Sequence, residues 1–136
     1  MALLLDTSAL IFLAIDEIEA SKAKAEVQRA YEANESIYIS PISAWEIGLL
    51  VSRGRLNLTL PPEKWFAQLL RVSRVLLAEM TPTVLIASSF LPDAPLRDPA
   101  DRIIVATARE FDLTILTSDR AMLAYSDKGH VRALAC

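Results

Sequence analysis

Residues 2–8 read ALLLDTS, and this stretch decides the fold because a short apolar run, Ala2 to Leu5, leads directly into residues that can begin a helix. Residues 113–119, LTILTSD, have the same order, with a predicted strand from Leu113 to Thr117 and a helix that starts at Asp119. Strands that alternate with helices are typical of α/β domains with parallel sheets. The sequence therefore predicts one α/β domain over residues 1–136, with a mostly parallel central β-sheet flanked by helices.

Further elements extend this pattern along the chain. Apolar residues at helical spacing predict an amphipathic helix from Ser21 to Glu35. Ser40 and Pro41 are typical of a helix start, and Gly54 is typical of a helix end. The remaining predictions are a strand at Ile37–Ile39, helices from Pro41 to about Ser52, from Pro61 to about Val72 and from Thr81 to Leu91, a buried strand from Val75 to Met80, a loop from Leu91 to Asp98, a helix from Asp98 to Phe111, and a last strand from Val131 to Leu134.

The composition limits the chemistry that the chain can perform. Of its 136 residues, 53% are hydrophobic and 23% are charged, and the net charge is -3, as expected for one compact domain. With one histidine, His130, and one cysteine, Cys136, the chain cannot form an internal disulfide or a Cys/His zinc site. Its three glycines are too scattered for a phosphate-binding loop. Catalysis must therefore use carboxylates, hydroxyls and arginines.

No segment of the sequence predicts membrane insertion or export. The longest apolar run, Ala9 to Ile15, is much shorter than the roughly 20 residues that a membrane span requires. The first basic residue is Lys22, so no signal peptide is evident. We therefore expect a cytoplasmic protein.

Three aspartates occupy positions that suit a site at one edge of the sheet. Asp6 and Asp119 each follow a predicted strand, and ligands collect at the carboxyl ends of strands in open α/β sheets. Asp101 lies in the first turn of the helix that Asp98 begins. The alternative is structural, because each of these residues could instead cap a helix or favour its N-terminus.

Glu46 is the fourth acid, and it lies beside an apolar stripe of Ile42, Trp45 and Leu49 that we predict to face the core. An acid on that face is costly without a partner. The alternative is that Glu46 lies at the edge of the stripe and reaches solvent or an arginine. Four carboxylates that converge on one pocket would repel one another unless a divalent cation lay among them, and such oxygen ligands suit Mg²⁺ or Mn²⁺.

These acids lie in four ordered motifs that together resemble PIN-domain ribonucleases, in particular the VapC-type toxins of bacterial toxin–antitoxin modules. The motifs are LLLDTSAL at residues 3–10, SAWEI at residues 43–47, DPADRIIVA at residues 98–106 and LTSD at residues 116–119. The resemblance extends from about residue 2 to residue 134. It implies a PIN-like domain that acts as an endoribonuclease dependent on Mg²⁺ or Mn²⁺, the toxin of a type II toxin–antitoxin pair.

The resemblance also implies roles for individual residues. The acidic catalytic residues that hold the metal in this family match Asp6, Glu46, Asp101 and Asp119. Residues that support the site match Ser8, Asp98 and Ser118, whereas Thr7 is expected to cap the first helix. The implied partners are RNA, a small antitoxin protein and a second copy of the chain.

An acidic site on an acidic protein needs positive charge at its rim to bind RNA. The candidates for this rim are Arg53, Arg55, Arg97 and Arg102, together with Arg71 and Arg74. Two positions depart from the family pattern, because Leu96 stands where many relatives have a histidine and Leu50 where many have a lysine. Aromatic residues are sparse and Trp45 is expected in the core, so no base-stacking platform is predicted.

Two alternative functions remain open at this point. One is an α/β phosphatase that uses Asp6 as its nucleophile, although Ser8 stands where such enzymes usually have a second aspartate. The other is a non-catalytic PIN-like binding module in which the acids only cap helices. That module would bind no metal and would tolerate acid-to-amide substitutions.

Overall fold

The computed structural model describes residues 1–15, 21–93 and 96–136 of the chain. Within those ranges it contains five strands and seven helices. The strands are β1 (Leu3–Leu5), β2 (Ile37–Ile39), β3 (Val75–Leu77), β4 (Thr114–Thr117) and β5 (Arg132–Ala135). The helices are α1 (Thr7–Ala14), α2 (Ser21–Glu32), α3 (Pro41–Ser52), α4 (Pro62–Leu69), α5 (Pro82–Ala87), α6 (Pro99–Phe111) and α7 (Arg120–Ser126).

The five strands form one parallel sheet in the order β3-β2-β1-β4-β5, which confirms the predicted α/β class. The chain first adds strands on one side of β1 and later returns to add β4 and β5 on the other side. This reversal lies between β1 and β4, where Leu5 pairs with Leu116. Ligands bind at such a reversal, outside the carboxyl ends of the strands. The fold therefore brings the residues that follow β1 and β4 together.

Alternate side chains of the central strands face two separate cores, because successive residues of a strand point to opposite faces. Leu4 and Ile115 belong to the core that includes residues of α5, α6 and α7. Leu3, Leu5 and Leu116 belong to the core that includes residues of α1, α2 and α3. Both faces of the sheet are thus covered, and only its edges remain for a site.

Helix ends near the carboxyl edge follow the predicted capping residues. Ser40 caps α3, where its Oγ accepts a hydrogen bond from the Ile42 amide at 3.2 Å, and Pro41 occupies the first turn. Gly54 follows the end of α3 with a φ of +68°, a left-handed conformation that glycine adopts readily. Asp98 caps α6. These caps fix where α3 and α6 begin relative to the sheet.

Three predicted helices are shorter in the structure. Helix α2 ends at Glu32 rather than at Glu35, because Asn34 adopts a left-handed φ of 60° that breaks the helix. Helix α4 ends at Leu69, and α5 ends at Ala87. The residues beyond each end form turns instead. Of the loop predicted from Leu91 to Asp98, residues 94 and 95 lie outside the described ranges.

Strand β3 corrects the prediction of a buried strand from Val75 to Met80. It lies at an edge of the sheet, where Leu76 is 44% and Leu77 is 49% exposed. A short apolar run does not distinguish an edge strand from a central strand, so this exposure could not be predicted from the sequence. The segment after β3 is also rich in exposed apolar side chains, and Phe90 is 79% exposed.

None of the helices in the described ranges has the length and apolar character needed to cross a membrane.

Candidate active site

Asp6 lies at the end of β1 and is only 3% exposed. It caps α1, where its Oδ1 accepts hydrogen bonds from the Ala9 amide at 2.8 Å and from Ser8 Oγ at 2.7 Å. The hydroxyl of Thr117, at the end of β4, donates to Asp6 Oδ2. Asp6 is therefore a helix cap and also a fixed carboxylate at the reversal of the sheet.

A hydroxyl network ties the ends of β1 and β4 together around Asp6. Ser8 Oγ accepts a hydrogen bond from the Ser118 amide at 3.2 Å. Thr117 Oγ1 accepts one from the Asp119 amide at 2.9 Å. Ser8 therefore contacts both Asp6 and the Ser118 amide, and Ser118 joins the network through its backbone. Thr117 belongs to the network as well, although the sequence analysis assigned it only to a strand.

Asp119 follows this network directly and caps α7. Its Oδ1 accepts hydrogen bonds from the amides of Ala121 at 2.8 Å and Met122 at 3.2 Å. The proposed capping role is therefore real. The Asp119 charge also acts on Asp6 and on Asp101, so capping does not remove it from the acidic group.

Glu46 projects from α3 toward the start of α1. Thr7 Oγ1 donates to Glu46 Oε1 at 2.5 Å, and Ser43 Oγ lies 3.0 Å from the same Thr7 hydroxyl. The prediction that Thr7 caps α1 is wrong, because Asp6 occupies the cap position and the Thr7 hydroxyl is free to hold Glu46. The three side chains connect α1 to α3 next to the sheet edge.

Trp45 is not in the core, contrary to the sequence analysis. It is 59% exposed, and the buried residues of α3 are Ser43 and Ile47. The stripe was misassigned because α3 is apolar on most of its surface, so periodicity alone did not identify its inner face.

Asp98 and Asp101 lie at the start of α6. Asp98 Oδ1 accepts hydrogen bonds from the amides of Ala100 at 2.8 Å and Asp101 at 3.3 Å. Asp101 is partly buried in the first turn and does not occupy the cap position. Its side chain therefore has no capping role.

Electrostatic interactions link the five acids of the site, Asp6, Glu46, Asp98, Asp101 and Asp119. Burial, followed by the charges of Asp98, Asp119, Glu46 and Asp6, raises the pKa of Asp101 to about 7. Burial also raises the pKa of Glu46, with smaller contributions from Asp98 and Asp6 that oppose the Thr7 hydrogen bond. In Asp6, burial raises the pKa although the bonds from Ser8, Thr117 and Ala9 favour the ionised form. A carboxylate group of this kind attracts cations.

The donor set suits a hard divalent cation, because it consists of carboxylate oxygens supported by hydroxyls. Among the described residues, no three or more Asp, Glu, His or Cys side chains form a preassembled metal-binding cluster. The acids thus share an electrostatic field without forming a closed coordination shell.

Two open grooves meet at these acids, and Asp98 lines both of them. The α6–α7 groove has a volume of about 520 Å³, and its lining includes Leu96, Arg97, Asp98, Asp101, Tyr125 and Lys128. The α3–α6 groove has a volume of about 280 Å³, and its lining includes Trp45, Glu46, Leu50, Arg53, Asp98 and Pro99. Leu96 therefore lies in the α6–α7 groove and Leu50 in the α3–α6 groove. These are the two positions that depart from the family pattern.

The predicted arginine rim is only partly assembled in the structure. Arg53 and Arg97 each line one groove, whereas Arg55 is exposed in the turn after α3. Arg102 is held at the end of α5, where its Nε donates to the Ser88 carbonyl at 2.9 Å. Arg74 donates to the Asn34 carbonyl at 3.1 Å.

Arg71 and Arg74 both precede β3, at the amino edge of the sheet and opposite to the acids. Lys128 lines the α6–α7 groove, and the sequence analysis did not select it. In the sequence, only its position shortly after the LTSD motif and α7 indicates that Lys128 lies near the site.

Comparison with known proteins identifies a family and related chains. The PIN domain family model matches residues 3–128. Ribonuclease VapC22 from Mycobacterium tuberculosis is 30% identical over 107 residues, which cover 79% of this chain and 81% of the relative.

Solved structures show the same fold. VapBC2 from Rickettsia felis, bound to a DNA fragment from its promoter, has a TM-score of 0.68 at 16% identity and covers 99% of this chain and 98% of that chain. VapC20 from Mycobacterium tuberculosis, a toxin that cleaves the sarcin-ricin loop, has a TM-score of 0.66 at 16% identity, with coverage of 91% and 95%. FitAcB from Neisseria gonorrhoeae has a TM-score of 0.63 at 21% identity, with coverage of 97% and 96%.

Proposed function

This chain belongs to the PIN domain family, and from that premise we propose that it is a metal-dependent endoribonuclease, the toxin of a type II toxin–antitoxin pair. The observation that carries the proposal is the environment of Asp101. Burial is the largest cause that raises its pKa to about 7, and every neighbouring charge that adds to the shift is negative. A divalent cation relieves this repulsion, and an acidic group that binds one is suited to phosphodiester hydrolysis.

The residues proposed to hold Mg²⁺ or Mn²⁺ are Asp6, Glu46, Asp101 and Asp119, with Ser8, Asp98 and Ser118 as supporting residues. When bound, such a cation supplies an activated water for attack on the phosphorus and neutralises charge that develops on the phosphate oxygens.

The chain itself holds the carboxylates in place for this reaction. Ser8, Ala9 and Thr117 fix both oxygens of Asp6. Thr7 holds one oxygen of Glu46. These contacts restrict rotation of the two carboxylates, so little ordering remains to be done when substrate binds.

The two alternatives fit the geometry less well. A phosphatase nucleophile must be free to attack, whereas Asp6 is buried and both of its oxygens accept hydrogen bonds. A binding module would need the acids only as caps, yet Glu46 lies within α3 and Asp101 lies after the cap of α6.

For partners, we propose RNA as the substrate, a small antitoxin as the inhibitor, and a homodimer. The antitoxin is supported by the likeness to VapBC2 and FitAcB. The homodimer is supported by apolar side chains exposed on and after β3, including Leu77, Ile86 and Phe90. Self-association would cover apolar surface of this kind.

The test of the proposed reaction uses purified protein free of antitoxin and single-stranded or looped RNA. We expect cleavage with Mg²⁺ or Mn²⁺, no cleavage in EDTA, and products with 5′-phosphate ends. Undiminished cleavage in EDTA, or products with 2′,3′-cyclic phosphates, would contradict hydrolysis by a metal-activated water.

A further inference from the structure

Trp45 is an exposed tryptophan side chain that borders the acidic site. It is 59% exposed and lines the α3–α6 groove beside Glu46. Leaving a large aromatic side chain in water forgoes the stabilisation that its burial would provide. The exposure of Trp45 therefore indicates that a ligand binds in the groove.

Arg53 places a cation in the same groove. It is the C-cap residue directly after α3, about two helical turns beyond Trp45, and both residues line the groove with Leu49 between them. An aromatic side chain and a guanidinium in one groove, on a path that ends at carboxylates, combine the two features that bind single-stranded nucleic acid: a stacking surface and a contact for the phosphate.

We propose that the α3–α6 groove binds the nucleotide next to the scissile phosphate, with its base stacked on Trp45 and its flanking phosphate bound by Arg53. This inference rests on the proposed ribonuclease function and extends it to the position of the RNA. Trp45 and Arg53 are positioning residues, because neither belongs to the acidic group.

The size of the groove favours one nucleotide over a protein segment. Its volume of about 280 Å³ is small, and its lining carries Glu46 and Asp98 as well as Arg53. The groove also opens onto the acids through Asp98, which lines the α6–α7 groove too. An occupant stacked on Trp45 is therefore placed to continue across the acids toward Arg97 and Lys128.

Fluorescence tests the stacking directly, because the chain has two tryptophans. Trp65 lies in α4 and packs edge-on against Phe66, with ring centroids 6.3 Å apart. In a Trp65→Phe, Asp101→Asn protein, Trp45 is the only tryptophan and cleavage is blocked. A mixed-sequence single-stranded oligoribonucleotide pool should quench its fluorescence in a saturable way. A pool with the same backbone but without bases should quench it much less.

Kinetics test the same contact in the active protein. Trp45→Leu should raise KM for short single-stranded RNA about tenfold, equivalent to about 1.4 kcal/mol, with a smaller change in kcat. Trp45→Phe should restore most of the loss, because it keeps an aromatic face. Tyr31→Leu is the matched control, since Tyr31 is an exposed aromatic residue on α2 outside both grooves, and it should leave KM unchanged.

Salt dependence tests the phosphate contact. Arg53→Gln should reduce the slope of log affinity against log salt concentration by about 1, and Arg71→Gln should not change it.

The outcomes separate this inference from the proposed function. If the wild type does not cut RNA with either metal, the ribonuclease proposal fails. If it cuts RNA while Trp45→Leu keeps a normal KM and RNA leaves Trp45 fluorescence unchanged, the ribonuclease proposal stands and the stacking inference is wrong. If Trp45→Leu alters only sedimentation or antitoxin binding, Trp45 belongs to a protein interface and the inference is again overturned.

Discussion

Asp6 and Asp101 lie in the same acidic group and burial raises the pKa of both, yet the groups that surround them differ. Asp6 is buried at a strand end and receives hydrogen bonds from Ser8, Ala9 and Thr117. Asp101 lies on the first turn of α6, where the surrounding charges are negative. Hydrogen-bond donors thus offset part of the cost of burying the Asp6 carboxylate, and we propose that a cation does so for the Asp101 carboxylate. Asp6 also caps α1, whereas Asp101 does not occupy a cap position.

The largest effect should come from Asp101→Asn, which we expect to lower the rate of RNA cleavage by several orders of magnitude without unfolding the protein. The amide keeps the shape of the side chain and removes the charge of a proposed metal ligand. Cleavage rates with Mg²⁺ and circular dichroism of the same samples provide the measurement. Asp112→Asn is the control, because Asp112 pairs with Arg132 at 2.7 Å at the other end of α6. A fully active Asp101→Asn protein would remove Asp101 from the proposed ligand set.

The second prediction concerns pH in the absence of metal. The folded-state pKa of Asp101 is about 7, above its ordinary value of 3.8, so the folded protein retains a proton that the unfolded chain has released. The free energy of unfolding should therefore fall as pH rises from about 4 to about 7 and level off above it. The full shift from 3.8 to about 7 corresponds to at most about 4 kcal/mol, at roughly 1.4 kcal/mol per pKa unit.

Asp101→Asn should flatten this pH profile, so that the metal-free variant melts no lower than the wild type at pH 7 or above. Thermal unfolding in EDTA across the pH range measures it. Parallel profiles of the two proteins would show that the pH dependence of stability comes from groups other than Asp101.

Binding of Mg²⁺ should offset the repulsion between the carboxylates of the acidic group. Mg²⁺ at about 100 times its dissociation constant should stabilise the wild type by about 2.7 kcal/mol if only the folded state binds. The shift should shrink in Asp101→Asn. Melting curves with and without Mg²⁺ provide the measurement. Curves that Mg²⁺ leaves unmoved in the wild type would favour acids with purely structural roles.

The smallest effect concerns the support of Asp6. Thr117→Val removes the hydroxyl that donates to Asp6 and accepts from the Asp119 amide. It should lower the free energy of unfolding by about 1–3 kcal/mol, because buried polar groups lose their partners. Ser118→Ala is the matched control, since Ser118 joins the network through its backbone amide. Equal stability of the two variants in urea would show that the Thr117 bonds do not stabilise the fold.

The parts of the molecule that depend on chain order could be predicted from sequence. The acids at the ends of β1 and β4 follow apolar runs directly, and parallel pairing must bring such ends to one edge. The caps at Ser40 and Asp98 were predicted because capping depends on a few neighbouring residues.

Features that depend on tertiary packing were not predicted. The exposure of Trp45 and of β3 depends on which neighbours cover them. An apolar sequence is the same whether its residues are buried or exposed. Thr7 was predicted to cap a helix and Thr117 only to lie in a strand, because a hydroxyl residue has many common roles and only the fold shows that it supports a carboxylate.

The contact between Asp6 and Thr117 joins residues separated by 111 positions in the chain. During synthesis at roughly 5–20 residues per second, the first carboxylate waits about 5–20 s for its partner to be made. Until then β1 lacks one of its two neighbouring strands, since β4 is the strand that pairs with it on that side. The acidic group therefore forms late in translation, and the proposed catalytic centre stays incomplete until β4 has been made.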